Sequence, residues 1–295
     1  MALYTLGDPH LSFGVPGKKM DKFGKAWVGH EEKIRRNWLE QVLESDTIVL
    51  AGDFSWGRDL DECGPDFDFI EKLPGRKILI RGNHDMFWDA KKTARLNELF
   101  GGRFFFLQDN YAAYKDYALV GTKGICFENL TSFEQFRKLQ KRETERLRVS
   151  FEAAKAAGYR KFIVFLHYPP TSSIWPATQE LCEALGMSRR EISAIRRQEQ
   201  EVLKQHGGRD IGHNPVIDLH ALPPALLHRV MDVTEVLSSP FTRMAEEYGA
   251  EQLIYAHSHG KSRFHDSIQG ELRGVRYQLV SGDYLDFKPF CVLRG

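Results

Sequence analysis

The sequence has few features that would direct it to a membrane or to nucleic acid. Its 295 residues carry 41 Lys and Arg against 40 Asp and Glu, so no general attraction to nucleic acid or to an anionic membrane is expected. No stretch reaches the ~18 consecutive apolar residues that a membrane helix requires. The opening, MALYTLGDPH, lacks the basic and apolar pattern of a signal peptide, and we interpret it as a first strand.

Cysteines are also few. Cys63, Cys126, Cys182 and Cys291 are scattered, and no two of them form a C-x-x-C pair. This spacing argues against a zinc ribbon and against a redox dithiol. Because scattered thiols fit a reducing compartment better than a disulfide framework, we expect a cytoplasmic globular protein.

Five short apolar runs that read as β-strands each end in a polar tip. The five tips are Gly7-Asp8-Pro9-His10, Gly52-Asp53, Gly82-Asn83-His84-Asp85, His167-Tyr168-Pro169-Pro170 and His257-Ser258-His259-Gly260. Helical patterns separate these runs, as is typical of an α/β sheet with right-handed crossovers. Further strand patterns at 104–107, 111–114, 117–121 and 275–280 indicate some antiparallel pairs. We therefore predict a four-layer αββα sandwich of two mixed β-sheets flanked by helices.

The tips supply carboxylate, amide and imidazole groups but no thiolate. Since ligands bind beyond the carboxyl ends of the strands in α/β sheets, these side chains should converge at one edge. Oxygen and imidazole ligands suit Mn, Fe, Zn, Ni or Co better than a structural zinc site. Seven plausible ligands are too many for one ion, but they suit two ions that share a carboxylate. Such a pair can clamp the attacking and leaving oxygens of a displacement at phosphorus.

The order of the tips resembles a known signature. The motifs D-x-H, G-D, G-N-H-D, a single His after a strand and H-x-H resemble, in this order, the calcineurin-like metallophosphoesterases. The resemblance covers the chain apart from residues 172–238, and five motifs in one order make it specific. Within that family, the GDFSW and HYPP segments resemble a bacterial group of predicted phosphohydrolases.

The resemblance implies a role for each tip residue. The residues that would hold the first ion are Asp8, His10 and His259. Those that would hold the second ion are Asn83, His167 and His257. Asp53 would bridge both ions, and a hydroxide between them would attack phosphorus. His84 would donate a proton to the leaving oxygen, and Asp85 would orient His84. Mn²⁺ is the expected metal, with Fe, Zn, Ni, Co and Mg as alternatives.

We therefore expect a metal-dependent hydrolase of phosphoric esters, either a phosphatase or a phosphodiesterase. Its substrate would be a phosphorylated small molecule or a nucleotide-type compound. One alternative is a metal-dependent nuclease, against which the near-zero net charge argues. A second alternative is a non-catalytic binding module of the same fold, against which the complete ligand set argues.

A long insertion interrupts the strand–helix rhythm. About 90 residues separate His167 from His257, whereas a crossover needs about a dozen. We expect residues 172–238 to form a mostly helical insertion into a metallophosphoesterase domain of residues 1–171 and 239–295. Residues 188–205 read as a helix that starts with a Ser–x–x–Glu capping box. The insertion would serve as a cap beside the metal site or as the interface of a homo-oligomer.

Two further positions raise questions. Ala256 stands where the resemblance would place glycine, and its methyl group occupies a site where glycine often permits an unusual backbone angle. The segment 17–27, GKKMDKFGKAW, is basic and aromatic and follows the first tip. It could meet substrate phosphate, or it could be a plain surface loop.

Overall fold

The computed structural model describes residues 1–128, 132–188, 190, 191, 194 and 216–295. The chain divides into two compact units. The first unit consists of Met1–Gly124, Glu143–Pro169 and Met244–Gly295, and the second of Ile125–Arg142 and Pro170–Arg243. All five polar tips lie in the first unit, apart from Pro170. The assignment of residues 172–238 as a functional insertion stays a prediction.

The described residues contain thirteen strands and eight α-helices. The strands are β1 Leu3–Leu6, β2 Thr47–Ala51, β3 Arg76–Ile80, β4 Phe104–Phe106, β5 Tyr111–Tyr114, β6 Tyr117–Thr122, β7 Lys161–Leu166, β8 Ile174–Pro176, β9 Val216–Asp218, β10 Gln252–Tyr255, β11 Gly270–Leu272, β12 Val275–Leu279 and β13 Phe290–Leu293. The α-helices are α1 His30–Gln41, α2 Leu60–Glu71, α3 Thr93–Phe100, α4 Phe133–Ala156, α5 Gln179–Leu185, α6 Pro224–Val230, α7 Pro240–Glu247 and α8 Lys261–His265. Short 3-10 helices span Met20–Phe23, Lys25–Trp27 and Ala90–Lys92.

Two mixed sheets form the first unit. The five-stranded sheet has the order β13-β1-β2-β3-β4, and its only antiparallel pair is β13 with β1. The six-stranded sheet has the order β11-β12-β10-β7-β6-β5, with parallel central strands and an antiparallel pair at each edge. The predicted sandwich of two mixed sheets flanked by helices is confirmed.

Alternating side chains of β2 bind the layers together. Ile48 and Leu50 pack into the cluster that includes residues of α1 and α2, whereas Val49 and Ala51 pack into the cluster shared with the six-stranded sheet. Successive side chains of a strand point to opposite faces, so an apolar strand without polar breaks contributes to two cores. Burial of β2 on both faces fixes the position at which its polar tip emerges.

The sequence pattern predicts a helix over 66–73, but helix α2 spans Leu60–Glu71. It begins at Leu60, because the Asp59 carboxylate accepts a hydrogen bond from the Glu62 backbone N–H and caps the helix. Pro65 lies inside the helix, close to its start. The sequence Gly64-Pro65 reads as a helix breaker, and this local signal concealed the earlier start.

The second unit has its own small core. Strands β8 and β9 form an antiparallel pair that the sequence analysis did not predict. The rings of Phe127, Phe133 and Phe136 pack against Trp175 at centroid distances of 5.3–6.1 Å. The Glu235 carboxylate accepts hydrogen bonds from the side chains of Arg137 and Gln140 and is largely buried. These contacts tie the start of α4 to the segment that precedes α7.

Part of the predicted helix 188–205 lies outside the described residues. Its capping box is confirmed: Ser188 Oγ accepts from the Glu191 N–H, and a Glu191 carboxylate oxygen accepts from the Ser188 N–H at 2.6 Å. Among the described residues, no helix is long and apolar enough to cross a bilayer.

Candidate metal centre

The polar tips converge beyond the carboxyl ends of parallel strands. Strands β1, β2 and β3 of one sheet and β7 and β10 of the other each end at one of them. The backbone turns sharply there, and four tip residues have positive φ angles: Asp8 (53°), His10 (44°), Asp53 (51°) and His257 (70°). Such angles are uncommon outside glycine, and strained backbone of this kind concentrates at functional sites.

Glycines at the tips allow the side chains to approach each other closely. Gly52 has a φ of 89°, and a Cβ there would collide with the His167 ring. A Cβ on Gly82 would collide with the backbone N and the carboxylate of Asp53. The G-D and G-N-H-D motifs therefore need their glycines because neighbouring tips pack directly on them.

Two groups of side chains could each hold a metal ion. The first cluster consists of Asp8, His10 and His259, and the second cluster of Asp53, His167 and His257. Within each cluster the ligand atoms lie within 4.8 Å of one another. The Asn83 amide oxygen joins the second cluster, 2.8 Å from His167 Nε2. The structure thus brings together all seven residues that the sequence analysis proposed as ligands.

His167 offers the clearest test of whether a cation fits. Its Nδ1 lies 3.0 Å from the Ala51 carbonyl, which can only accept, so Nδ1 carries the proton in the neutral ring. The Nε2 lone pair then faces Asn83 Oδ1 at 2.8 Å, His257 Nδ1 at 3.2 Å and Asp53 Oδ2 at 3.4 Å. A single proton on Nε2 could satisfy one of these acceptors, whereas a divalent cation attracts all of them. The donor set of the second cluster therefore fits a metal ion.

The first cluster has a similar arrangement. His259 Nδ1 lies 2.9 Å from Asp283 Oδ1, which directs His259 Nε2 towards Asp8 Oδ1 at 3.8 Å. Asp8 Oδ1 is buried and has no hydrogen-bond partner among the residues that the structure describes, while Asp8 Oδ2 accepts from the His257 N–H at 3.0 Å. A buried carboxylate oxygen without a partner is costly, and a cation would remove that cost.

Asp53 lies between the two clusters. Its Oδ2 is 3.4 Å from His167 Nε2 and 3.6 Å from His10 Nε2, and thus faces one ring from each cluster. Its Oδ1 accepts a hydrogen bond from the His84 N–H at 2.8 Å, which fixes the plane of the carboxylate. This is the placement that a carboxylate shared by two ions would need.

The pKa values of the cluster residues reflect carboxylates and imidazoles that are buried next to one another. Burial lowers the pKa of His167, but Asp53 and Asp8 outweigh burial and raise it to about 9. Burial opposes ionisation of Asp53, yet His167 and His10 lower its pKa well below the ordinary value. Burial lowers the pKa of His10 well below its ordinary value, which favours the neutral ring that a metal ligand requires.

His84 and Asp85 lie beside the clusters rather than in them. The His84 ring packs against Trp56 at a centroid distance of 4.3 Å and against His10 at 5.6 Å. Burial lowers the pKa of His84. Its position next to the ligands and its partial exposure are what a proton donor to a leaving oxygen would need.

Asp85 is bound to backbone. Its carboxylate accepts hydrogen bonds from the N–H groups of Phe54, Ser55 and Gly82 at 2.6–3.3 Å and so ties the second tip to the third. Burial raises the pKa of Asp85 to about 7. Among the described residues, no hydrogen bond joins this carboxylate to the His84 ring, so the orienting contact expected from the sequence is not formed in this structure.

Ala256 is accommodated because its neighbour lacks a side chain. A Cβ on Gly7 would collide with the Ala256 methyl group, so the methyl occupies space that Gly7 leaves. The unusual backbone angle falls on His257 instead, with a φ of 70°. With alanine in the last motif, both histidines and the sharp backbone turn are therefore retained.

The sequence analysis missed three residues at this site. Asp283 fixes the His259 ring, and Trp27 and Trp56 pack against His10 at centroid distances of 5.6 and 5.1 Å. A signal for Asp283 was present, since Ser281-Gly282-Asp283 follows strand β12 just as the other tips follow theirs. Both tryptophans belong to segments that the sequence analysis named, 17–27 and GDFSW, but their contacts with the site come from tertiary packing.

Comparisons with known proteins return mostly remote relatives. The Gene 66 protein of Mycobacterium phage D29 is 38% identical to the chain over 79 residues, which is 24% of this chain and 38% of that protein. The chain thus matches well under half the length of this curated relative.

Three solved structures are similar in part. A protein of unknown function, AQ665 from Aquifex aeolicus, has 22% identity and a TM-score of 0.33 over 57% of this chain and 80% of that one. Phosphopantetheinyl hydrolase from Mycobacterium tuberculosis has 12% identity and a TM-score of 0.47 over 99% and 94%. TT1561 of Thermus thermophilus has 8% identity and a TM-score of 0.43 over 88% and 82%.

A family model matches most of the chain. It describes the calcineurin-like phosphoesterases and matches residues 1–261, a range that contains all five polar tips and both clusters. The chain belongs to the calcineurin-like phosphoesterase family.

Proposed function

We propose that the protein hydrolyses a phosphoric ester with two divalent cations, one held by each cluster. Asp8, His10 and His259 would hold one ion. Asn83, His167 and His257 would hold the other, and Asp53 would contact both. When bound, the cations would supply an activated water and positive charge for the phosphate oxygens.

The observation that carries this proposal is the environment of His167 Nε2. Three ligand atoms lie within 3.4 Å of it, and its other nitrogen is engaged by a backbone carbonyl. A structural histidine buried in a core would instead face one acceptor or an apolar wall. The tautomer of His167 that Ala51 favours supports ligation, and so does Asp8 Oδ1, which finds no hydrogen-bond partner in the described part of the chain.

The remaining polar residues would act on the substrate. His84 would protonate the leaving oxygen, since it lies beside His10 and is bound through its backbone to Asp53. Asp85 would hold the second and third tips in register through its three backbone contacts. In this assignment Asp85 acts on the loops, and the packing of Trp56 limits the orientation of the His84 ring.

The finer features of the proposal come from ligand chemistry and composition. Oxygen and imidazole donors accept Mn²⁺ and several other ions, and we propose Mn²⁺ as the working metal. The substrate would be a phosphorylated small molecule or nucleotide, since the net charge of +1 offers no general attraction to nucleic acid. The four scattered cysteines support a cytoplasmic location.

The test combines metal content with turnover. Protein stripped of metal and reloaded with Mn²⁺ is analysed for bound ions and assayed with p-nitrophenyl phosphate and bis-p-nitrophenyl phosphate. We expect two ions per chain and hydrolysis of at least one ester. In parallel, His167→Ala should lose metal and turnover because it removes a ligand from the second cluster.

The matched control is His265→Ala, because the His265 side chain is 90% exposed and lies outside both clusters. This variant should retain both ions and full turnover. Two bound ions without hydrolysis of any phosphoric ester would favour the non-catalytic binding module. Full turnover by His167→Ala would contradict the assignment of the second cluster.

A further inference from the structure

We propose that Lys18 and Trp56 form a subsite for a second anionic group, carried by the leaving group of the substrate. This inference rests on the proposed function and narrows its substrate class to phosphate esters with a second phosphate on the leaving group. The Lys18 ammonium lies 4.8 Å from the centre of the Trp56 ring. The same ring lies 4.3 Å from His84 and 5.1 Å from His10.

The segment that carries Lys18 is fixed against the metal centre. Met20 is buried, and its sulfur accepts a hydrogen bond from Trp56 Nε1 at 3.1 Å. Trp27, also buried, packs against the rings of His10 and His259 at centroid distances of 5.6 and 5.3 Å. Lys18 is therefore exposed on a stretch whose neighbouring anchors touch metal ligands, and its position is tied to the site rather than free in solvent.

The charge of Lys18 is available to a ligand. Within the described residues, no carboxylate forms an ion pair with Lys18, and the ammonium group has no protein hydrogen-bond acceptor. The neighbouring carboxylate of Glu62 is taken by Arg58, through a contact of 2.7 Å between the guanidinium and a carboxylate oxygen. A cation held over an aromatic face keeps its hydrogen-bond donors free for an incoming anion.

The place of Lys18 relative to His84 identifies which part of the substrate it would meet. In the proposed reaction, His84 protonates the leaving oxygen, so atoms beyond that oxygen lie on the side of His84. Trp56 packs on the His84 ring and Lys18 lies over the Trp56 ring. The residues that would hold the second ion are Asn83, His167 and His257. A leaving group with a phosphate would find a flat aromatic face and a positive charge there. A leaving group without charge would contact the Trp56 ring but would gain nothing from the charge of Lys18.

The test compares two ligands that differ by one phosphate. Binding of adenosine 3′-monophosphate and adenosine 3′,5′-bisphosphate to the Mn²⁺-loaded protein is measured by calorimetry, for the wild type, Lys18→Ala and Lys25→Ala. Lys25 is a matched control because it is an exposed lysine in the same segment. A charge-assisted contact predicts that the wild type binds the bisphosphate about tenfold more tightly than the monophosphate. This preference should vanish in Lys18→Ala and persist in Lys25→Ala.

Three outcomes would overturn the subsite. Equal affinity of the wild type for both compounds, no binding of either compound, or equal loss of preference in both lysine variants would each do so. Turnover of the p-nitrophenyl esters is measured on the same preparations. Turnover without a bisphosphate preference refutes the subsite alone, whereas absence of turnover refutes the proposed function.

Discussion

The two ligand clusters differ in how their orienting contacts are made. In the second cluster, His167 is fully buried and its ring is fixed by the backbone carbonyl of Ala51. In the first cluster, the side chain of His259 is 32% exposed and its ring is fixed by the carboxylate of Asp283. One orienting group belongs to the main chain of a buried strand, and the other is a side chain on a loop.

The nature of the orienting group should decide how far a substitution can change the metal affinity of each cluster. A carbonyl at the end of β2 cannot be removed by substitution, and its position is set by a strand buried on both faces. Asp283 can be removed, and it adds negative charge that strengthens the basicity of the His259 ring. We expect the second cluster to be the rigid half of the site and the first cluster to be the half whose affinity depends on one side chain.

Asp53→Asn should have the largest effect, because Asp53 is the residue proposed to contact both ions. The loss of one negative charge weakens both sites, and we expect turnover to be abolished and metal content to fall. Elemental analysis and ester hydrolysis measure the two effects. Asp109→Asn is the control, since Asp109 also has a positive φ of 59° and lies outside both clusters. Two bound ions and undiminished turnover in Asp53→Asn would refute the shared carboxylate.

His84→Ala should leave both clusters intact and slow the reaction. General acid catalysis contributes ~10²–10⁴-fold, and this factor should be lost with alkyl esters, whose leaving groups need a proton. Activated aryl esters should lose less. The measurement compares kcat on both ester types at equal metal content. Equal losses on the two esters would contradict the proton-donor role.

Asp283→Asn should affect the two clusters differently, since Asp283 orients a ring of the first cluster only. The loss of an orienting carboxylate typically lowers metal affinity ~10–100-fold, and we expect this for one of the two ions. A metal titration followed by calorimetry should resolve a weakened step and an unchanged step. Asp286→Asn, at a side chain that is 68% exposed on the same loop, should leave both steps unchanged. Equal weakening of both steps would contradict the division of ligands between clusters.

Asp66→Asn should have the smallest effect on the site, because Asp66 contacts residues that follow the first two tips in the chain. Its carboxylate accepts hydrogen bonds from the Phe13 N–H and the Ser55 hydroxyl. Burial raises the pKa of Asp66 to about 6, with a contribution from Glu31. Since the folded-state pKa lies above the unfolded value, the stabilisation from the protonated carboxyl is complete below pH ~4 and is lost as the pH rises through about 6.

The variant should therefore gain stability over the wild type across that interval, by about 2–3 kcal/mol at neutral pH. Denaturant unfolding at several pH values measures the difference. Asp68→Asn, an exposed position on the same helix, should show no such trend. A difference between Asp66→Asn and the wild type that does not change with pH would refute the raised pKa.

The sequence was informative where chemistry and local structure coincide. Each tip follows an apolar run directly, so the positions of Asp8, Asn83 and His167 could be predicted from strand patterns alone. The antiparallel pair of β5 and β6 was also within reach, because only two residues separate the two strands.

The remaining features depend on contacts between distant parts of the chain. The Asp85 carboxylate binds backbone of the second tip, about thirty residues away, and nothing next to Asp85 in the sequence indicates this partner. The Trp56 ring that packs on His84 also donates a hydrogen bond to the sulfur of Met20, which lies 36 residues away. Short edge strands such as β11 carry too few apolar residues for a periodic pattern, and they form because β12 offers a free edge.

The positive φ angles at four of the proposed ligand positions restrict how the site can be redesigned. Asp, Asn and His tolerate the left-handed region better than other residues with side chains, and the same three types offer oxygen or nitrogen ligands. Backbone geometry and coordination chemistry therefore select the same small set of amino acids at Asp8, His10, Asp53 and His257. An engineer who wishes to change the metal preference of this protein has few substitutions at these positions. A longer or β-branched ligand residue would have to be paired with a redesigned loop.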